Sequence, residues 1–392
     1  MALDIPSSLF GAISNEEFLV DYWQTKPLLV RNAWPNFITP LLPTDLKQLS
    51  CRDDAESRLV LERGGDYPWE ARFGPFEIED FQDLPDSHWT LLVQHVDFLN
   101  PEVGRMLEAV DFLPNWRLDD IMISYAPGEG GVGAHIDNYD VFLLQAHGRR
   151  RWQINTSPVK EENLVPDLDV RILAGFEADE EWVLEPGDML YLPPRIAHLG
   201  IALEHCMTFS IGCRAPSEQG LVTAFLEHVL TNLDEERFFS DPGRPVADNP
   251  GAVGSQIKEF ADSALKDALA SGDLFDRWLG EYLTIGPGFE SDDDDTVSLM
   301  TRKNLLHIMH TGGRLRPVTT SRIVYDRLGS GQLVLFVNGE SMDVPSDLES
   351  FLNKLTRSRG IDAADMPEAG TAEYDVAAEL VHVLYSSGAF RL

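Results

Sequence analysis

Eight short runs of strand-forming residues lie between positions 57 and 212, and no long helical pattern separates them. They span residues 57–61, 90–96, 121–125, 141–145, 151–154, 181–184, 188–192 and 207–212, each cut off by turn residues. Strands this short and this numerous predict a β-sandwich or a barrel. A helix precedes them in "SNEEFLVDYWQTKPLLVRN". Ser14 is spaced to cap it, with Glu17 three residues on. Phe18, Tyr22 and Trp23 share a face, Lys26-Pro27 ends the helix, and "LLVRN" reads as a strand.

The texture changes near residue 215. In "PSEQGLVTAFLEHVL", Leu221, Val222, Phe225, Leu226, Val229 and Leu230 recur at helical spacing. Two more helical stretches follow at residues 256–270 and 274–283. At 392 residues the chain is long enough for two or three domains. The expected division is a mainly β domain over 1–214, a helical region over 215–284 suited to packing or subunit association, and a C-terminal module over 285–392. The acidic run at 292–295 reads as a solvated linker. The C-terminal module combines helices with a hairpin, "RIVYDRLGSGQLVLFVNG", turning at 329–331, which suggests a winged helix. From Asp276 to the end the chain carries 18 acidic and 11 basic residues, so the module within that stretch is acidic. It therefore lacks the basic footprint of DNA binding and is expected to contact protein.

Charge sharpens that expectation. The whole chain has 65 acidic and 31 basic residues, a formal net charge of −34. Such a surface repels nucleic acid and anionic membranes and attracts basic partners; plain solubility, or a salty or cold habitat, would explain it equally. No apolar run is long enough to span a bilayer, and the first residues lack the pattern of a secretory signal, so a cytoplasmic protein is expected. Cys51, Cys206 and Cys213 form no CxxC pair and suggest neither disulfides nor a cysteine-rich metal site.

The chemistry concentrates in "GVGAHIDNYDVFLLQAHGRRRWQI", residues 131–154. In an extended segment His135 and Asp137 point the same way. An imidazole beside a carboxylate makes two corners of the facial triad that holds non-haem Fe(II) with positions left open. The third ligand should be a histidine from a distant strand. His198 fits: it follows the strand "GDMLYLP" and the Pro193-Pro194 turn, 61 residues beyond Asp137. His147 and His205 read as ordinary surface or core histidines. In "RRRW" alternation puts Arg150 on the same side as Trp152. If that side is the interior, Arg150 needs a partner, and the terminal carboxylate of a dicarboxylate cosubstrate would serve bidentately. Ser124, at inward parity in "IMISY", would add a hydroxyl.

These residues make the chain resemble the JmjC-type 2-oxoglutarate oxygenases. Within them it is most similar to the bacterial ribosomal oxygenases, which hydroxylate an arginine of a large-subunit ribosomal protein. The resemblance rests on "YWQTKPLLVRNA", "MISYAPGEGGVGAHIDNYDVF", "GRRRW" and "EPGDMLYLPPRIAHLG". It implies a double-stranded β-helix barrel of the cupin/JmjC kind, then an all-α dimerisation block and a winged-helix-like domain, assembled as a homodimer. It implies that His135, Asp137 and His198 ligate Fe(II), that Arg150 and Ser124 bind the C5 carboxylate of 2-oxoglutarate, and that O2 is the co-reactant. Tyr139 and Asp140 would meet a substrate guanidinium, although Asp140 could equally stabilise the adjoining turn. Histidine is the alternative target, since related eukaryotic ribosomal oxygenases act on it. The rival readings are a metal-binding cupin-type enzyme that uses no 2-oxoglutarate, a non-enzymatic regulator on the same scaffold, and a JmjC demethylase.

Overall fold

The computed structural model describes residues 3–64, 69–161, 163–166, 168, 170–233, 236–269, 273–286, 300–357 and 360–392. The acidic run at 292–295 lies outside the described residues. The chain divides into two compact units, Met1–Ala215 with Pro317–Thr320, and Pro216–Gly288 with most of the remainder.

The first unit begins with α1 (Asn15–Asp21). The Ser14 hydroxyl accepts from the Glu17 amide as its sequence position predicts, and Phe18 is its buried anchor. Tyr22 and Trp23 lie just beyond the helix, yet both still pack on the Phe18 ring. Then follow β1 (Leu28–Val30), α2 (Pro43–Leu49), β2 (Ser57–Glu62), β3 (Trp69–Phe73), β4 (Trp89–Val93), α3 (Val96–Leu99), α4 (Pro101–Arg105) and β5 (Leu118–Ala126). The remaining strands are β6 (Val141–His147), β7 (Arg150–Ile154), β8 (Glu180–Leu184), β9 (Met189–Leu192), β10 (His198–Ala202) and β11 (Cys206–Cys213). They form an eight-stranded sheet, β1-β9-β6-β11-β5-β4-β2-β3, and a three-stranded sheet, β10-β7-β8. The strand β3 and the helices α2, α3 and α4 carry no sharp sequence signal and were not anticipated.

The two faces of the larger sheet differ, and that difference makes the site. Ile121, Ile123 and Tyr125 of β5 and Met207, Phe209, Ile211 and Cys213 of β11 point into the main core with Phe10, Phe18 and Trp34. Burying one such large side chain contributes roughly 1.5–3 kcal/mol. At the opposite parity stand Asp120, Met122 and Ser124 of β5 and Ser210 and Gly212 of β11, which line a cavity. Close by, Val141, Leu143, Trp152, Ile154, Leu184 and Leu190 form a smaller apolar cluster. The apolar half of each alternation holds the fold, and the polar half is left for chemistry.

The second unit opens with α5 (Glu218–Thr231), α6 (Ser255–Leu269) and α7 (Leu274–Thr284). Phe225 of α5 packs on Phe275 and Trp278 of α7, with ring centroids 5.3 and 4.9 Å apart. Later come α8 (Arg302–His310), β12 (Arg316–Pro317), β13 (Ile323–Arg327), β14 (Leu333–Val337), β15 (Glu340–Val344), α9 (Glu349–Arg357), α10 (Ala372–Ser386) and β16 (Phe390–Arg391). The predicted hairpin is β13 and β14, and β15 adds a third antiparallel strand. Helix α7 is tied to this sheet through Arg277–Asp343 at 2.6 Å and Ser341–Glu281 at 2.6 Å. Gly280 lets the two approach, since a Cβ there would lie 2.4 Å from the Phe336 ring. Among the described residues no helix is long and apolar enough to cross a membrane.

Candidate active site

His135 does not sit in a regular strand. Residues 131–140 run extended but irregular, and His135 forms a single antiparallel bridge with His198. The bridge has two backbone hydrogen bonds of 3.0 Å, and the Arg195 amide adds a third by donating to the Asp137 carbonyl at 2.7 Å. Gly133, at φ +80°, sets the bend that delivers His135 to it. Two segments far apart in sequence are thus locked together by main-chain bonds, and their side chains follow.

One ligand atom from each of His135, Asp137 and His198 lies within 4.8 Å of the others. The imidazole rings are 4.2 Å apart, and His198 Nε2 is 3.7 Å from an Asp137 oxygen. Each histidine points its Nδ1 at a carbonyl, Gly133 at 3.0 Å and Ile196 at 2.9 Å. Carbonyls only accept, so each Nδ1 carries a proton, which leaves Nε2 as the ring's lone-pair edge for a metal. His198 is 2 % exposed. Burial first, and the neighbouring His135 second, push its pKa down to about 4. It is neutral at physiological pH, the state a metal ligand requires. Two imidazoles and one carboxylate on one side of a cavity are the donor set of a divalent transition metal with open positions.

Arg150 confirms the alternation argument. It is 5 % exposed on β7 beside buried Trp152, while Arg149 is exposed and paired with Glu204. Its Nη1 donates to the Ser124 hydroxyl at 3.3 Å, and its guanidinium lies 5.7 Å from the Trp152 ring centroid. Its Nε and Nη2, and the Trp152 Nε1, are buried without a partner among the described residues. Every one of these orphaned atoms is a donor, so the missing ligand must be rich in acceptors; a carboxylate fits. Gly200 keeps the indole in place, because a Cβ there would stand 2.8 Å from its ring.

His135, Asp137, His198, Arg150 and Ser124 all line one cavity of about 350 Å³. Tyr139 lines it too. It is 42 % exposed overall; burial of its hydroxyl and the charges of Asp137 and Asp120 raise its pKa and keep the phenol protonated. Asp140 is not brought to the cavity. It is fully buried on the other side of the chain, where it accepts from Tyr191 at 2.6 Å, Arg117 at 2.9 Å and Gln24 at 3.0 Å. The chain bends at 138 and 139, so that Asp137 and Tyr139 line the cavity and the next residue does not. Sequence reasoning missed Asp120, Arg58 and Met122, which also line the cavity. Asp120 was available, standing two and four residues before Met122 and Ser124 at the same parity.

A JmjC domain model matches residues 105–221, and a ROXA-like winged helix model matches residues 265–391. The chain is 35 % identical over 268 residues to the Escherichia coli "ribosomal protein uL16 3-hydroxylase", covering 68 % of this chain and 70 % of that one. It is 31 % identical over 380 residues to a Haemophilus influenzae protein named "probable ribosomal oxygenase", covering 93 % and 91 %. A solved structure of the Escherichia coli ribosomal oxygenase YcfD, in complex with cobalt and 2-oxoglutarate, superposes with a TM-score of 0.79 at 30 % identity, covering 97 % of this chain and 98 % of that one.

Proposed function

The chain belongs to the JmjC-type ribosomal oxygenases, and on that premise we propose that it hydroxylates an arginine side chain of the large-subunit ribosomal protein uL16. It is a 2-oxoglutarate-dependent dioxygenase that works with Fe(II) and O2. When bound, these supply the oxidising power: 2-oxoglutarate is oxidatively decarboxylated to succinate and CO2, and one atom of O2 enters a substrate C–H bond.

The residues of the chain position and shield. His135, Asp137 and His198 hold the ion, and the Nδ1–carbonyl bonds fix both rings so that little reorganisation accompanies binding. Arg150 takes the C5 carboxylate of the cosubstrate bidentately through its orphaned Nε–H and Nη2–H, with Ser124 beside it. Tyr139, its phenol kept protonated, lines the cavity beside Asp137. Val141, Leu143 and Trp152 line the same cavity and exclude water from the reacting centre.

The observation that carries the arginine reading is a carboxylate and an aromatic ring beside the metal ligands. Asp120 and Tyr139 line the same cavity, and a guanidinium gains from an ion pair and from a ring face. The net charge of −34 further favours approach of a basic ribosomal protein. Incubation with Fe(II), 2-oxoglutarate and recombinant uL16 is expected to add one oxygen atom, localised by tandem mass spectrometry to an arginine. Oxygen on a histidine would overturn the reading. Asp120→Asn keeps an acceptor for the His95 amide, bonded now at 2.9 Å, but loses the charge. We expect kcat/KM for uL16 to fall roughly 10- to 100-fold with 2-oxoglutarate affinity unchanged; an unaltered kcat/KM would place the guanidinium elsewhere.

We further propose a cytoplasmic homodimer formed through α5. Its Phe225 side packs on α7, while Val222, Leu226 and Leu230 stay 52, 47 and 65 % exposed along another face. Replacing all three by glutamate is expected to give a monomer in light scattering. Persistence of the dimer would assign the interface to other residues.

A further inference from the structure

Two arginines reach the cavity from different sheets. Arg150 comes from β7, and Arg58 comes from β2. Register places the second one. Arg58 is opposite Leu92 on β4, and Leu92 is opposite Ser124 on β5. Arg58, Leu92 and Ser124 thus form one row across the sheet, all three on its cavity side.

The Arg58 side chain has no hydrogen bond or ion pair among the described residues, and its Nε is buried. A desolvated N–H without an acceptor is unfavourable, and on a cavity wall an incoming acceptor relieves it. Arg171, another cation on the cavity wall, has a partner of its own. The cosubstrate cannot serve Arg58. Of its two carboxylates, one belongs to Arg150 and Ser124 and the other to the metal side. The acceptor must therefore come from the second molecule that enters the cavity. Arg58 lines the same cavity as Asp120 and Tyr139, the residues set against the substrate side chain. It belongs to the part of the cavity where the substrate side chain would lie.

Resting on the uL16 reading, we infer that Arg58 is a substrate-specificity residue whose guanidinium holds a main-chain carbonyl of the polypeptide flanking the hydroxylated residue. A strongly basic substrate offers few carboxylates near its target, whereas each residue of its backbone brings a carbonyl. The planar fork of a guanidinium can grip one such oxygen with two N–H groups and fix the depth to which the target side chain enters. The inference separates two tasks within one cavity: Arg150 recognises a carboxylate, and Arg58 recognises a peptide.

The test is binding, measured on the full-length protein loaded with Mn(II) and 2-oxoglutarate without oxygen. Arg58→Met is expected to weaken the affinity for recombinant uL16 roughly tenfold or more. Its affinity for 2-oxoglutarate should stay within about twofold of wild type. Arg58→Lys should recover part of the lost uL16 affinity, which a merely structural role would not predict. If Arg58→Met fails to fold, Arg58→Gln carries the same test. Unchanged uL16 affinity, or a loss that falls on 2-oxoglutarate instead, overturns the assignment. Wild-type protein that binds 2-oxoglutarate but not uL16 would overturn the substrate reading and this one with it; wild-type binding with an indifferent Arg58 variant overturns this one alone.

Discussion

Replacing His135 by alanine is expected to lower hydroxylation by at least about 10³-fold and to remove tight metal binding with it. On a six-coordinate ion, three protein ligands leave room for only a bidentate cosubstrate and O2, and no fourth donor stands by to compensate for a lost one. The Tyr139 hydroxyl on the same cavity wall stays protonated because burial and two carboxylates raise its pKa. The change should spare the fold. What locks residues 134–137 to 195–198 is the pair of 3.0 Å backbone bonds between His135 and His198, and alanine keeps both. Calorimetric titration with Co(II) should therefore show the lost affinity while the circular dichroism melting curve of the metal-free protein hardly moves. Turnover above about a hundredth of wild type would remove His135 from the centre.

The site was legible where side-chain direction follows from local alternation. Arg150 could be placed indoors because Trp152 had to be, and Ser124 because its strand neighbours Ile123 and Tyr125 belong to the apolar face. His198 could be paired with His135 because a turn rich in glycine and proline returns the chain. Alternation also reveals its own limits. Asp140 adjoins Tyr139, yet its partners Gln24 and Tyr191 lie 116 and 51 residues away, and nothing local announces a buried polar hub assembled from such distances. Arg58 and Asp120 stand at inward parity on β2 and β5. They were passed over because a single charged residue in a strand looks like a solvated one until the opposite wall is known. The strand series predicted a barrel or sandwich; it could not show that one face of the larger sheet would be left polar, since that depends on which strands pair across gaps of a hundred residues.

Arg150→Met is expected to move stability and function in opposite directions. Without cosubstrate, the Arg150 guanidinium is 5 % exposed, has one 3.3 Å bond to Ser124, and leaves two N–H groups buried without partners. Replacing a buried, half-satisfied charge by an apolar side chain of similar length commonly stabilises a protein, here by about 1–3 kcal/mol. The same change removes a bidentate ion pair to the cosubstrate, worth at least about 3 kcal/mol, so 2-oxoglutarate affinity should fall by about 10²-fold or more. Melting curves make the opposition visible. Wild-type protein with metal gains about 2.7 kcal/mol when 2-oxoglutarate is present at 100 times its Kd. At that concentration the variant gains at most a few tenths. The variant should melt higher than wild type without cosubstrate and lose most or all of that lead when it is added. A variant less stable in both conditions would mean that the guanidinium supports the fold itself. Equal stabilisation of both proteins by 2-oxoglutarate would mean that some other group holds the C5 carboxylate. The orphaned Nε and Nη2 argue against each outcome, because an arginine kept for the fold would have its hydrogen bonds made within it.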